Sequence, residues 1–137
     1  MRSFFILIVM FFGCLSKKPM FEISILSLKE ADKPYPVIVL TNNNLANYKS
    51  EFPKHYYKIE YPDFEKIEKQ CSNFRITGKG ESKLLLIEIN KNNKIEKYFF
   101  NEKKGVDILN EIKKQTSHYR NESLTKNILY LQKVTEN

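Results

Sequence analysis

The side chains of this chain that could do chemistry near neutral pH are few: two cysteines, two histidines and 16 acidic residues. Carboxylate catalysis needs two acids held across a cleft, one protonated and one ionised. Carboxylates such as Glu60, Asp63 or Glu88 would serve an enzyme acting on a polymer, although 16 scattered acids always offer pairs. A thiol nucleophile needs a neighbouring base, so Cys71 would have to meet His55 or His118 in space. Cys71 instead falls on the apolar face of an expected helix, where a small buried thiol is the ordinary outcome. A structural zinc needs about four close nitrogen or sulfur ligands; the histidines are isolated and there is no Cys-x-x-Cys. The run Thr77-Gly78-Lys79-Gly80-Glu81-Ser82 has the glycines and lysine of a phosphate cradle but neither the spacing nor the helix that a P-loop opens. It reads as a flexible loop joining two strands, the first over Phe74 to Ile76. No residue takes a catalytic role, and nothing in the pattern calls for a metal or a cofactor.

What remains is binding chemistry. Eight tyrosines and ten phenylalanines occur without tryptophan, several of them adjacent, as in Tyr56-Tyr57 and Tyr98-Phe99-Phe100. In an alternating strand only half can face the core. Tyr56 with Lys58, and Tyr98 with Lys97, on an open sheet face would form a tyrosine and lysine surface suited to protein or glycan contact. Ordinary packing of edge aromatics is the other reading.

The elements that would carry these residues follow from periodicity. Phe21, Ile23 and Ile25 alternate with polar residues, which predicts a strand to about Leu28, and Val37 to Thr41 predicts a second. Leu45, Tyr48 and Phe52 predict a short helix ended by Pro53. Tyr57, Ile59 and Tyr61 predict a third strand, and Pro62-Asp63 opens a helix with Phe64, Ile67 and Cys71 on one face. Lys83 to Asn90 and Ile95 to Phe100 predict a hairpin turned by Asn92-Asn93. A helix from Gly105 carries Val106, Leu109 and Ile112, and one from Ser123, capped by Asn121 or Ser123, carries Leu124, Ile128, Leu131 and Val134. Strands gathered early and helices gathered late imply an α+β fold, an antiparallel sheet of about four to six strands with two C-terminal helices packed on one face.

The first residues supply the address. Arg2 is followed by an apolar run from Phe4 to Phe12, then Gly13 and Cys14. A bilayer span takes about 20 residues, so the run has the length and basic start of a secretory signal instead. Phe11-Phe12-Gly13-Cys14 resembles the lipobox of bacterial lipoproteins, at which the cysteine is lipidated and the chain cut before it. The resemblance implies a signal peptide over 1–13, lipidation of Cys14, a tether over 14–19 and a single domain over 20–137, held to the membrane of the cell envelope. An ordinary signal peptide giving a secreted soluble protein, or an N-terminal core helix, are the alternatives, and a Cys14 to Cys71 disulfide would compete with lipidation.

Twenty lysines against three arginines, with 13 asparagines and two alanines, is the bias of an A/T-rich genome and suits a bacterium. The formal charge of +7 is dispersed among interspersed acids. Nucleic-acid sites lean on bidentate arginines, and only Arg75 and Arg120 would survive processing, which argues against a nucleic-acid partner. The expectation is a lipid-anchored envelope protein acting as a non-catalytic binding module for a protein partner, an inhibitor or immunity factor or an accessory subunit. An enzyme acting on an envelope polymer through paired carboxylates, or a structural tether, are the alternatives.

Overall fold

The structure is a computed structural model and describes residues 20–29, 37–43 and 54–136. The expected leader, the tether with Cys14 and the helix expected over Leu45 to Phe52 lie outside the described residues.

Strand β1 (Phe21–Ser27) alternates as expected, with Phe21, Ile23 and Ile25 buried. It is the middle of a five-stranded sheet in the order β3-β2-β1-β4-β5, formed with β2 (Val37–Thr41), β3 (Lys54–Lys58), β4 (Leu85–Lys91) and β5 (Lys94–Phe100). β1 pairs antiparallel with β2 and β4, and β4 with β5, but β2 and β3 run parallel. The sheet is therefore mixed, which corrects the expected antiparallel one. Parallel neighbours need a crossover of about a dozen residues or more, and residues 42–53 supply that length between β2 and β3. Between β4 and β5 the turn is tight instead. Asn92 (φ 51°) and Asn93 (φ 67°) both take left-handed backbone, the requirement of the two-residue turn whose twist matches its strands.

The expected third strand stops early. β3 ends at Lys58, and Tyr61 opens helix α1 (Tyr61–Phe74) rather than continuing the alternation. Pro62 is the reason: it has no N–H for a ladder, and its fixed φ suits a first helical turn. Tyr61 then packs its ring near Phe21 and Phe64, at 6.0 and 5.8 Å. Phe74 closes α1, so the strand expected over Phe74 to Ile76 is absent; the Ile76 N–H donates a single bond to the Phe99 carbonyl. The glycine loop accordingly joins a helix to β4, not two strands.

Helix α2 (Glu102–Thr116) starts ahead of Gly105 because the Asn101 side chain accepts the Lys104 N–H at 2.9 Å. Gly105 is buried where α2 meets α3, and a Cβ there would lie 3.0 Å from Thr135 Cγ2. A single 3-10 turn, Ser117–Tyr119, leads to α3 (Glu122–Glu136), capped by Asn121 as expected. The helices stack side by side, α1 on α2 and α2 on α3. One hydrophobic cluster joins Ile23, Ile25, Leu40, Ile87 and Phe100 of the sheet to Phe64, Ile67, Ile108, Ile112 and Ile128 of the helices. The protein is thus α+β, with the two expected C-terminal helices and α1 in one layer.

Candidate functional site

The helix layer covers one face of the sheet, and the alternation of each strand assigns the side chains of the other, far face. Two cross-strand rows cross it: Tyr56, Val39, Ser24, Glu88 and Lys97, and beside it Lys58, Thr41, Glu22, Asn90 and Ile95. Tyr56 and Lys58 therefore share the far face as expected. Tyr98 does not. It pairs with Ile87 and is 6% exposed within the core cluster, so it leaves the expected binding surface. Its hydroxyl donates to Glu96 Oε2 at 2.6 Å; burial and this bond push the phenol well above its ordinary range, and the same bond holds the Glu96 carboxyl low.

In the first row Lys97 and Glu88 pair at 3.4 Å with both side chains partly in water, a contact worth little to stability. Burial, and secondarily the Glu22 carboxylate, push the Tyr56 phenol upward. The second row has a different character. Glu22 Oε1 is buried and has no hydrogen-bond partner. The Glu22 residue lines a cavity of about 390 Å³ together with Met20, Asn43, Asn90, Asn92 and Asn93 among the described residues.

The walls of this cavity are fixed by backbone. The Met20 N–H donates to Asn92 Oδ1 at 3.1 Å, and the Asn92 N–H returns to the Met20 carbonyl at 2.9 Å. Thr41 Oγ1 donates to the Phe21 carbonyl at 2.8 Å and accepts from the Asn43 N–H at 3.1 Å. Asn90 is the cross-strand partner of Glu22, and Asn93 sits on the turn that β4 and β5 share. Among the described residues, neither the Asn90 nor the Asn93 side chain makes a hydrogen bond. In the sequence Asn90 reads as the end of a strand and Asn92-Asn93 as turn formers, so nothing there singled out this cavity.

A second polar cluster lies at the start of α1. The Tyr119 hydroxyl accepts the Glu60 N–H at 2.6 Å and donates to Asp63 Oδ2 at 2.7 Å. His118 Nε2 stands 3.0 Å from the same oxygen, with its ring 4.2 Å from that of Tyr119. Burial, then the bond to Asp63, pushes the Tyr119 phenol up to about 12. Beyond it, the Tyr57 hydroxyl accepts from Asn127 Nδ2 at 2.6 Å and shares a 2.8 Å bond with Ser123 Oγ.

The candidates for catalysis are dispersed. Cys71 is a fully buried free thiol, and burial pushes its pKa upward, which keeps it protonated and out of reach. His118 faces Asp63, and His55 is exposed on β3. Glu60 and Asp63 belong to one helix start, whereas Glu88 points to the far face, so these acids do not oppose one another across a cleft. Among the described residues no three His, Cys, Asp or Glu side chains gather as metal ligands, and no helix is long and apolar enough to cross a membrane. The chain matches no known family model, and no curated protein or solved structure is similar to it.

Proposed function

We infer that the chain is a lipid-anchored protein of a bacterial cell envelope that acts as a non-catalytic binding module for a protein partner. The observation that carries the address is the run from Phe4 to Phe12 ending in Gly13-Cys14. The far face of the sheet supports the binding role, with Tyr56 and Lys58 side by side on β3 and none of the helices of the described residues over them. Tyrosine suits such a surface because a rigid apolar ring with a polar tip gives contact area at small entropic cost. A lipid on Cys14 would keep Met20, six residues on, within about 20 Å of the bilayer surface, since an extended chain spans at most about 3.6 Å per residue.

Two measurements test this reading. The intact mass of the protein from membrane and soluble fractions of its host should match cleavage before Cys14 plus acyl chains, in the membrane fraction. A full-length mass in the soluble fraction overturns the address. Cross-linked capture from solubilised envelope should return one recurrent protein that Tyr56→Ala with Lys58→Glu releases and Leu129→Ser, on the exposed side of α3, does not. Capture indifferent to the first pair overturns the assigned surface.

A further inference from the structure

The two most exposed of the large apolar side chains among the described residues, Met20 (60%) and Ile95 (57%), lie at the same end of the sheet. Met20 precedes β1 and is tied to the β4–β5 turn by its two backbone bonds with Asn92. Ile95 is the second residue of β5 and pairs with Asn90. Neighbouring strands lie about 5 Å apart, so β1 and β5, on either side of β4, set the two residues roughly 10 Å from one another. Between them runs Asn90-Lys91-Asn92-Asn93-Lys94, without an acid. Asn92, Asn93 and Lys94 are exposed, and Lys94 keeps 80% of its side chain in water although Glu96 stands 3.6 Å away. Lys91 is half-buried, its ammonium 5.7 Å from the Tyr61 ring centre. The loop at the opposite end of β4, Thr77 to Ser82, is also exposed but has no apolar side chain.

An apolar side chain left in water forgoes the stabilisation that burial would give it. The core of a protein interface is a continuous apolar patch depleted in lysine. Here the apolar side chains stand apart, with asparagines and lysines between them. A bilayer surface fits that arrangement, because its headgroup layer fills the space around separate apolar side chains while lipid phosphates receive the ammonium groups. A chain of formal charge +7 is drawn to an anionic surface in many orientations; the exposed apolar pair selects one of them. The tether selects the same one. Six residues separate Met20 from Cys14, so the corner with the exposed apolar side chains is also the one held within about 20 Å of the membrane.

We propose that this end of the sheet docks on an anionic bilayer surface. Met20 and Ile95 enter the headgroup layer, Lys94 meets lipid phosphates, and the Asn92-Asn93 turn lies between them against the headgroups. The docking rests on the membrane address inferred above and deepens it by fixing how the domain stands: the strands point away from the bilayer, and the loop from Thr77 to Ser82 is held far from it.

The experiment is amide NMR of the full chain on lipid nanodiscs that carry a gadolinium chelate on a headgroup, whose broadening falls steeply with distance. On discs of phosphatidylcholine mixed with phosphatidylglycerol, the amides of Met20 and Asn92 to Ile95 should relax several-fold faster than those of Gly78 to Gly80. On phosphatidylcholine alone that contrast should shrink, and Lys94→Glu with Ile95→Thr should shrink it on the mixed discs. Equal broadening at the two ends of β4, or more at Gly78 to Gly80, overturns the docking. So does a contrast that is the same on both kinds of disc, or that the paired substitution leaves intact. A chain that stays off the discs overturns the membrane address and the docking together, whereas one that associates without favouring the turn overturns the docking alone. The comparison of the two ends needs no variant, so it stays readable even if the substituted protein misfolds.

Discussion

The cluster around Asp63 and the cavity around Glu22 are built from the same kinds of side chain, one carboxylate among neutral polar groups, yet only the first closes on itself. Asp63 accepts from Tyr119 and faces His118, and Tyr119 in turn takes the Glu60 N–H, so the start of α1 is tied to the 3-10 turn ahead of α3. Glu22 has a buried oxygen with no hydrogen-bond partner. A closed network contributes to stability because every desolvated group has recovered its hydrogen bond. An open one forgoes that contribution. The titratable residues that drew attention in the sequence, Asp63 and His118, thus belong to a closed network between the start of α1 and the turn ahead of α3.

Mutation should separate the two. The largest effect is expected for Asp63→Ala, which strands the Tyr119 hydroxyl and removes an acid from the first turn of α1; it should cost about 2–3 kcal/mol in urea unfolding. A loss below about 0.5 kcal/mol would place the Asp63 cluster among ordinary surface contacts.

The next effect is read with pH. The Tyr119 phenol is held near 12 against an ordinary 10.0, so folding favours the neutral form. Its contribution is fully present below pH 10, and is lost as the pH rises through the folded value. Unfolding followed from neutral to alkaline pH should therefore weaken over that window, and Tyr119→Phe should make the fall shallower. An unchanged slope would show that Tyr119 does not couple to Asp63 as its geometry implies. Tyr57→Phe, which removes the oxygen shared by Ser123 and Asn127, should cost about 1 kcal/mol. The smallest effect belongs to the open region: Glu22→Gln should change stability by less than about 0.5 kcal/mol or raise it, because the buried Oε1 of this half-buried side chain has no hydrogen bond to lose. Destabilisation as large as that of Asp63→Ala would erase the distinction.

Parts of this were legible from sequence because their causes are local. The alternation of Tyr56 and Lys58 against Tyr57 placed the first two on one face, and the register with β2 agrees. Tyr98 was not legible in the same way. Tyr98-Phe99-Phe100 is an unbroken aromatic run with no polar residue to phase it, and only the pairing of Tyr98 with Ile87 decides that it faces the helices. The strand expected through Tyr61 failed for the opposite reason: the alternation was real, but Pro62 has no N–H for a ladder and a φ that suits a first helical turn, and the helix prevailed.

The sequence by itself determined the elements whose stabilising contacts lie within a few residues: the β1 alternation, the Asn92-Asn93 turn, the Asn121 cap and the apolar faces of three helices. Tertiary structure alone decided the strand order, the parallel pairing of β2 with β3, and the meetings of Asp63 with Tyr119 and of Glu22 with Asn90. Those meetings join residues more than fifty positions apart. No local periodicity encodes them; they are fixed when the buried faces of sheet and helices come together, because a slip of one residue in a strand would turn its apolar side chains into water.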